Sequence, residues 1–182
     1  MTAVAAEFLT SGAELSKTRL MSRPPGRRSV QQVLVLLEYP DEPDEFSALL
    51  VDSVHRNGLS LPGGSAEQDE LPHLAARRHL ETATGLVLSL RTILSVDYVP
   101  AAEFPEGLNF VYAGGMITHR QAEVVRRHQP PDGIRGLHWV PQGRLRDAMT
   151  EDQYRRVEDA WDAWEHGAGL PLLVRGVPVP VG

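Results

Sequence analysis

Apolar and polar positions alternate in blocks that predict a run of strands, one central helix, further strands and a late helix. QQVLVLLEY, from Gln31, is a near-continuous apolar run and predicts a strand buried on both faces. EYPDEPDE, acidic and broken by proline, predicts a solvated hairpin loop; a metal-binding acidic loop is the sharper alternative, but blocks of like charge usually face water. FSALLVDSV predicts a second strand, and Asn57-Gly58 a hairpin turn, because both residue types tolerate positive φ. LSLPGG predicts a short strand leading into LPGGSAEQDELPHLAARRHLETATGL, residues 61–86. There a Pro-Gly-Gly turn and an acidic patch precede an Ala/Leu/Arg helix over about residues 72–84, stopped by Gly85 and packed through Leu74 and Leu80. LVLSLRTILSVDYVP and GLNFVYAGGMITH predict two long strands, GLHWVP another, and GRLRDAM a short helix. Thr150 and Gln153 form a capping box for a last helix that carries Tyr154, Val157, Trp161 and Trp164 on one side and ends at Gly167. Those tryptophans are expected in the core. LPLLVRGVPV predicts an edge strand or tail. Strands and helices in this order imply a mixed sheet covered by helices.

The first 29 residues stand apart. They end in SRPPGRRS, a Pro-Gly boundary, and form either a frayed tail or a short amphipathic helix with Leu9, Leu15 and Leu20 as candidate apolar contacts. Residues 30–182 then make one domain, an ordinary size for a chain of 182 residues. Composition narrows the chemistry. There is no cysteine, so disulfides, thiolate zinc sites and cysteine nucleophiles are excluded. The formal net charge is −6 and the basic residues are scattered, which argues against nucleic-acid binding by counterion release while leaving room for a local anion pocket. Lys17 is the only lysine, a bias we attribute to GC-rich coding. No apolar run approaches the roughly 18–20 residues of a membrane helix. Glu7 interrupts an N-terminus without a basic region, so it is a poor signal peptide and a cytoplasmic location is expected.

Residues 64–86 resemble the Nudix box: Gly, five residues, Glu, seven residues, then Arg-Glu-U-x-Glu-Glu-x-Gly-U, where U is apolar. Without gaps, Gly64, Glu70, Arg78, Leu80, Gly85 and Leu86 match, six of the nine specified positions, and LPGG precedes the box as in many members. VDYVP, GLNFVYAGG, WVP and the helix after them look like the later part of stand-alone bacterial Nudix hydrolases, so the resemblance covers roughly residues 30–175. It implies a Nudix-type α/β/α sandwich with a mixed β-sheet. Three mismatches fall in the chemical core. His79 stands in place of the first helix glutamate, and Thr82 and Ala83 in place of the glutamate pair. In active members those glutamates hold divalent metal, usually magnesium, against a substrate diphosphate. Magnesium is a hard cation that prefers oxygen ligands in an octahedron, and it leaves water reluctantly.

Residues 79, 82 and 83 share one helix face, whereas Glu81 lies about 160° around from 83 at roughly 100° per residue, so it does not substitute and is expected to pair with Arg77 or Arg78. Glu70, Arg78 and His79 are the residues through which chemistry would run. The resemblance implies that Glu70 and Arg78 pair and support the box, and His79 is either a general base or ligand, or a polar neighbour. His73 falls on another face. Glu67, Glu103, Glu106 and Glu123 are the carboxylates that could relocate the metal site, each with a solvated-surface alternative. Gly63, Gly64, Arg56 and Arg91 are candidate ligand contacts, the arginines for phosphate. Tyr98, Phe104, Phe110 and Tyr112 could stack on a base or fill the core.

Three functions remain open on these residues. One is a protein that uses the pocket to bind or to do different chemistry, with weak, altered or absent hydrolysis. Another is a hydrolase of nucleoside diphosphate-linked substrates with a relocated metal site. The third is a regulator carrying a winged helix, disfavoured because only about forty residues follow WVP. An isopentenyl diphosphate isomerase is disfavoured because that relative uses a cysteine. No cofactor is required by the sequence, magnesium or manganese being needed only for hydrolysis. The expected partner is a small molecule, not a nucleic acid or a membrane. The ligand's identity and the oligomeric state are not legible.

Overall fold

In the computed structural model, described for residues 27–39, 42–102, 105–171, 173–174 and 177–178, two apolar clusters sandwich one mixed sheet. The chain runs β1 (Arg28–Tyr39), β2 (Glu42–Ser53), β3 (Gly63–Ser65), α1 (Pro72–Thr84), β4 (Thr92–Val99) and β5 (Gly107–Met116). It continues through α2 (His119–Arg127), β6 (Ile134–Pro141), a 3-10 turn (Gln142–Arg144), α3 (Leu145–Ala148) and α4 (Glu151–Glu165). The short strands β7 (Leu170–Pro171), β8 (Leu173–Val174) and β9 (Val177–Pro178) follow. The expected helix over Leu9–Leu20 lies outside the described residues.

Strand order is β6-β2-β1-β5-β4-β7, with β3 also on β1. β1 and β5 are parallel and the other pairs antiparallel, giving the expected mixed sheet. The near-continuous apolar run of β1 serves both faces. Val33, Val35 and Leu37 join Leu80 of α1 and Ala122 and Val125 of α2 on one side. Leu34 and Leu36 join Val157, Ala160 and Trp161 of α4 on the other. This is an α/β/α sandwich. Trp161 is 1% exposed and lies in the core as expected, whereas Trp164 is only partly buried and packs against the same cluster.

Several expectations are corrected. Leu74 is 45% exposed and does not pack α1 onto the sheet; Ala75, Ala76, Leu80 and Ala83 do, since small residues let the helix approach closely. The acidic stretch is mostly strand, with Tyr39 paired to Glu42, and residues 40 and 41 lie outside the described set. Leu86 and Leu90 are buried, yet residues 86–91 form no ladder and β4 begins at Thr92. In the turn after β2 only Gly58 takes positive φ (71°), not Asn57. Helix α2 was not expected. Its start is a capping box, Gln121 N–H donating to Thr118 Oγ1 (3.3 Å) and Thr118 N–H to Gln121 Oε1 (2.9 Å).

Candidate ligand-binding site

β1 changes neighbours along its length. Its C-terminal half pairs with β2, while Val30–Gln32 pair with β3, so β2 and β3 diverge from one strand. Gly63 is required for this arrangement: a Cβ there would lie 2.0 Å from the Gln31 carbonyl oxygen and 2.8 Å from Gln32 Cα, both backbone atoms. A Cβ on Gly64 would instead meet the His79 ring, at 2.4 Å from Cε1. Thus the two glycines first read as ligand contacts each have a packing reason, one against β1 and one beneath His79.

The box loop is tied to its helix by one carboxylate. Glu70 accepts from Arg78 Nε (2.7 Å) and Nη2 (2.6 Å) and from the backbone N–H of Glu67 (2.9 Å). The bidentate Arg78 pair, then the Glu67 amide, hold the Glu70 carboxyl down at a pKa of about 2. Asp69 turns the loop with φ of 62°. Helix α1 starts with Pro72 in its first turn and stops at Gly85 in the left-handed conformation, whose N–H reaches the Glu81 carbonyl at 2.8 Å.

His79 Nε2 donates to the Ser65 carbonyl at 2.9 Å, so this ring pins β3 to the helix. Ala83 is buried beside it on the same face, and the Thr82 carbonyl accepts from His128 Nε2 at 2.9 Å. One imidazole already hydrogen-bonded, one hydroxyl and one methyl make a poor magnesium site. Among the described residues no group of three or more His, Asp or Glu side chains converges to hold a metal.

Of the other carboxylates, Glu106 and Glu123 are engaged away from the box. Glu106 accepts from Arg27 and from Tyr98 Oη, each at 2.6 Å. Glu123 pairs with Arg126 and Arg127 on exposed α2. Glu67 lies 3.7 Å from Arg78, and Glu103 falls outside the described residues, as does Phe104. Tyr112 is fully buried, its hydroxyl donating to Gln31 at 3.0 Å, and burial pushes its pKa up to about 12. Phe110 packs against the same core, while Tyr98 stays half exposed. His73 Nδ1 is buried without a partner and burial lowers the ring's pKa. Arg78 is engaged with Glu70 and Glu67, and among the described residues Glu81 forms no ion pair with Arg78 or with Arg77, the two partners expected for it.

Arg56 lines a cleft of about 250 Å³ with Ser53, His55, Ser60, Gly63 and Ala83. Arg91 lies elsewhere, just before β4, and does not line it. Sequence reading missed Arg156, which reaches from α4 to Asp97 on β4 (Nε, 2.8 Å) and Gln32 on β1 (3.3 Å). A single arginine on an amphipathic helix gives no periodic signal. Its charge is paired with Asp97 and also contributes to lowering the Arg56 pKa.

Comparison with known proteins agrees with this geometry. A NUDIX hydrolase from Nitrosomonas europaea superposes with a TM-score of 0.60 at 20% identity, covering 81% of this chain and 94% of that one. The NUDIX domain of Shewanella oneidensis NrtR, solved with ADP ribose, gives 0.61 at 14% identity, covering 82% and 97%. NrtR complexed with a 27mer DNA gives 0.61 at 14%, covering 76% of this chain and 63% of that one. A fold shared with a DNA-bound protein carries no exclusion of nucleic acid, and the expectation against it rests on charge alone. No curated protein sequence matches. Among the described residues no helix is long and apolar enough to cross a membrane. The profile of the NUDIX domain matches residues 29–160, which span the split strand pairing, the Glu70–Arg78 loop and the helix behind it, and on that match the chain belongs to the Nudix family.

Proposed function

We propose that this Nudix protein binds a small ligand built on a diphosphate, of the nucleoside diphosphate-linked kind, and hydrolyses it weakly or not at all. The observation that carries the reading is the helix face of His79, Thr82 and Ala83. It offers no carboxylate, and its imidazole is committed to the Ser65 carbonyl. Hydrolysis in the family draws on a divalent metal to cancel phosphate charge and activate water. The donors present do not fit that ion, so no step is routed through it. Glu70 and Arg78 tie the box loop to its helix, and His79 holds β3. The parts that shape a pocket are kept, and the ADP ribose bound by the NrtR domain supports a ligand of this class.

A turnover screen over nucleotide sugars, dinucleoside polyphosphates and nucleoside triphosphates, with magnesium and with manganese, tests the reading beside binding of the same compounds. Binding without turnover is expected. Robust metal-dependent turnover that survives His79→Ala and Thr82→Ala but is abolished by Glu67→Gln would refute it, because the carboxylates would then be relocated.

A further inference from the structure

The metal and the cleft disagree in a specific way. In the family, position 83 supplies a carboxylate toward a cation. Here position 83 is a buried methyl, and a cation of the protein, Arg56, lines the same cleft. We propose that this cleft takes a phosphate group of the ligand directly onto Arg56, with no divalent metal between them. The inference rests on the diphosphate reading above and says how the ligand's charge is met.

Arg56 is suited to the task by what surrounds it. Among the described residues no carboxylate pairs with it, whereas Arg78, Arg135 and Arg156 each hold at least one. Asp52, the nearest acid in sequence, is taken by Arg135. Desolvation by neighbouring protein lowers the Arg56 pKa, and the like charges of Arg156 and Arg28 follow. By area the residue is exposed, so solvent and a ligand still reach it at the mouth of the cleft. A guanidinium in that setting gains by meeting an anion, and its planar fork matches phosphate oxygens.

The loop is also preorganised. Val54 N–H donates to the Gly133 carbonyl at 2.9 Å and Leu59 N–H to the Ala148 carbonyl at 2.8 Å, fixing both ends of the turn that carries Arg56. The cleft, about 250 Å³, is smaller than the roughly 300–1,000 Å³ of pockets for whole drug-sized ligands, which suits one phosphate group with the rest of the ligand outside. A carboxylate at 83 would compete for Arg56; the methyl leaves it available.

Calorimetric titration of the full chain with inorganic pyrophosphate, once in EDTA and once in magnesium, tests this. Wild type is expected to bind in EDTA at least as tightly as in magnesium, which itself complexes pyrophosphate. Arg56→Gln should weaken binding about 10–100-fold, the worth of a charge-assisted contact. Arg77→Gln, an equal loss of charge on the exposed face of α1, should leave it unchanged. Ala83→Glu should abolish binding in EDTA; should it fail to fold, Arg56→Gln carries the test alone. Unchanged affinity in Arg56→Gln would overturn the inference. Binding by wild type only in magnesium would overturn it too, while leaving the diphosphate reading intact. No binding in either condition removes both.

Discussion

Gly63→Ala and Gly64→Ala are neighbouring, chemically identical changes that should differ sharply in cost. At Gly63 the new methyl would sit 2.0 Å from the Gln31 oxygen, and that oxygen belongs to a strand paired on both sides. Relief requires β3 to move off β1. The move strains the three registered pairs from Val30↔Ser65 to Gln32↔Gly63 and the flanking bonds Val33 N–H to Pro62 O and Ala66 N–H to Ser29 O, both 3.0 Å. Overpacking costs about 1–3 kcal/mol, and each hydrogen bond lost adds about 0.5–1.5 kcal/mol. The reduced freedom of the unfolded chain returns about 0.4–1 kcal/mol. A net loss of about 2–5 kcal/mol follows, a fall in Tm on the order of 10 °C for a chain of this length. At Gly64 the obstacle is the His79 ring, which can swing aside at the expense of its bond to Ser65, so about 1 kcal/mol is expected. Urea denaturation of both variants measures the difference. Equal stabilities, or a Gly63→Ala midpoint matching wild type, would refute the claim that the β1–β3 approach dictates glycine.

Arg78→Ala removes the larger of the contacts that hold the Glu70 carboxyl at about 2, below its ordinary 4.5, and leaves the Glu67 amide in place. A depressed carboxyl stabilises the fold above its unfolded pKa and ceases to as pH falls through the folded value, so the stability gap between wild type and variant should be constant near neutrality. It should close between about pH 4.5 and pH 2; denaturation curves showing an unchanged gap at the acid end would contradict this. Leu80→Ala, at a fully buried position, should cost about 2–5 kcal/mol, whereas Leu74→Ala, on the exposed face, should stay within about 0.5 kcal/mol. Chemical denaturation ranks the pair, and a reversed order would mean α1 packs through its other face.

What could be read from sequence depended on how many residues carried each signal. β1, with its unbroken apolar run, and α4, with a capping box and an apolar stripe, were legible because many positions agree. Helix α2 was not, because only Ala122 and Val125 are buried on a segment otherwise rich in charge. Leu74 misled for the opposite reason: hydrophobic periodicity weights leucine, while close packing of α1 selects alanine. The Glu70–Arg78 pair was legible through the resemblance to the Nudix box, whose acidic residue and arginine these two positions match, and the loop and helix do bring them together. The cleft of Arg56 and Ala83 was not, because it joins β2, the following loop, β3 and α1, and no local pattern encodes such a meeting. Arg156 was hidden likewise, being 124 residues from its partner Gln32.

The central claim is that the helix face of residues 79, 82 and 83 no longer holds magnesium. Titration calorimetry with magnesium tests it most directly, comparing wild type with a triple variant, His79→Glu, Thr82→Glu and Ala83→Glu, that restores the oxygen donors. Wild type is predicted to show no saturable heat beyond dilution, and the triple variant to gain a binding isotherm. A saturable isotherm in wild type, lost on Glu67→Gln, would contradict the account.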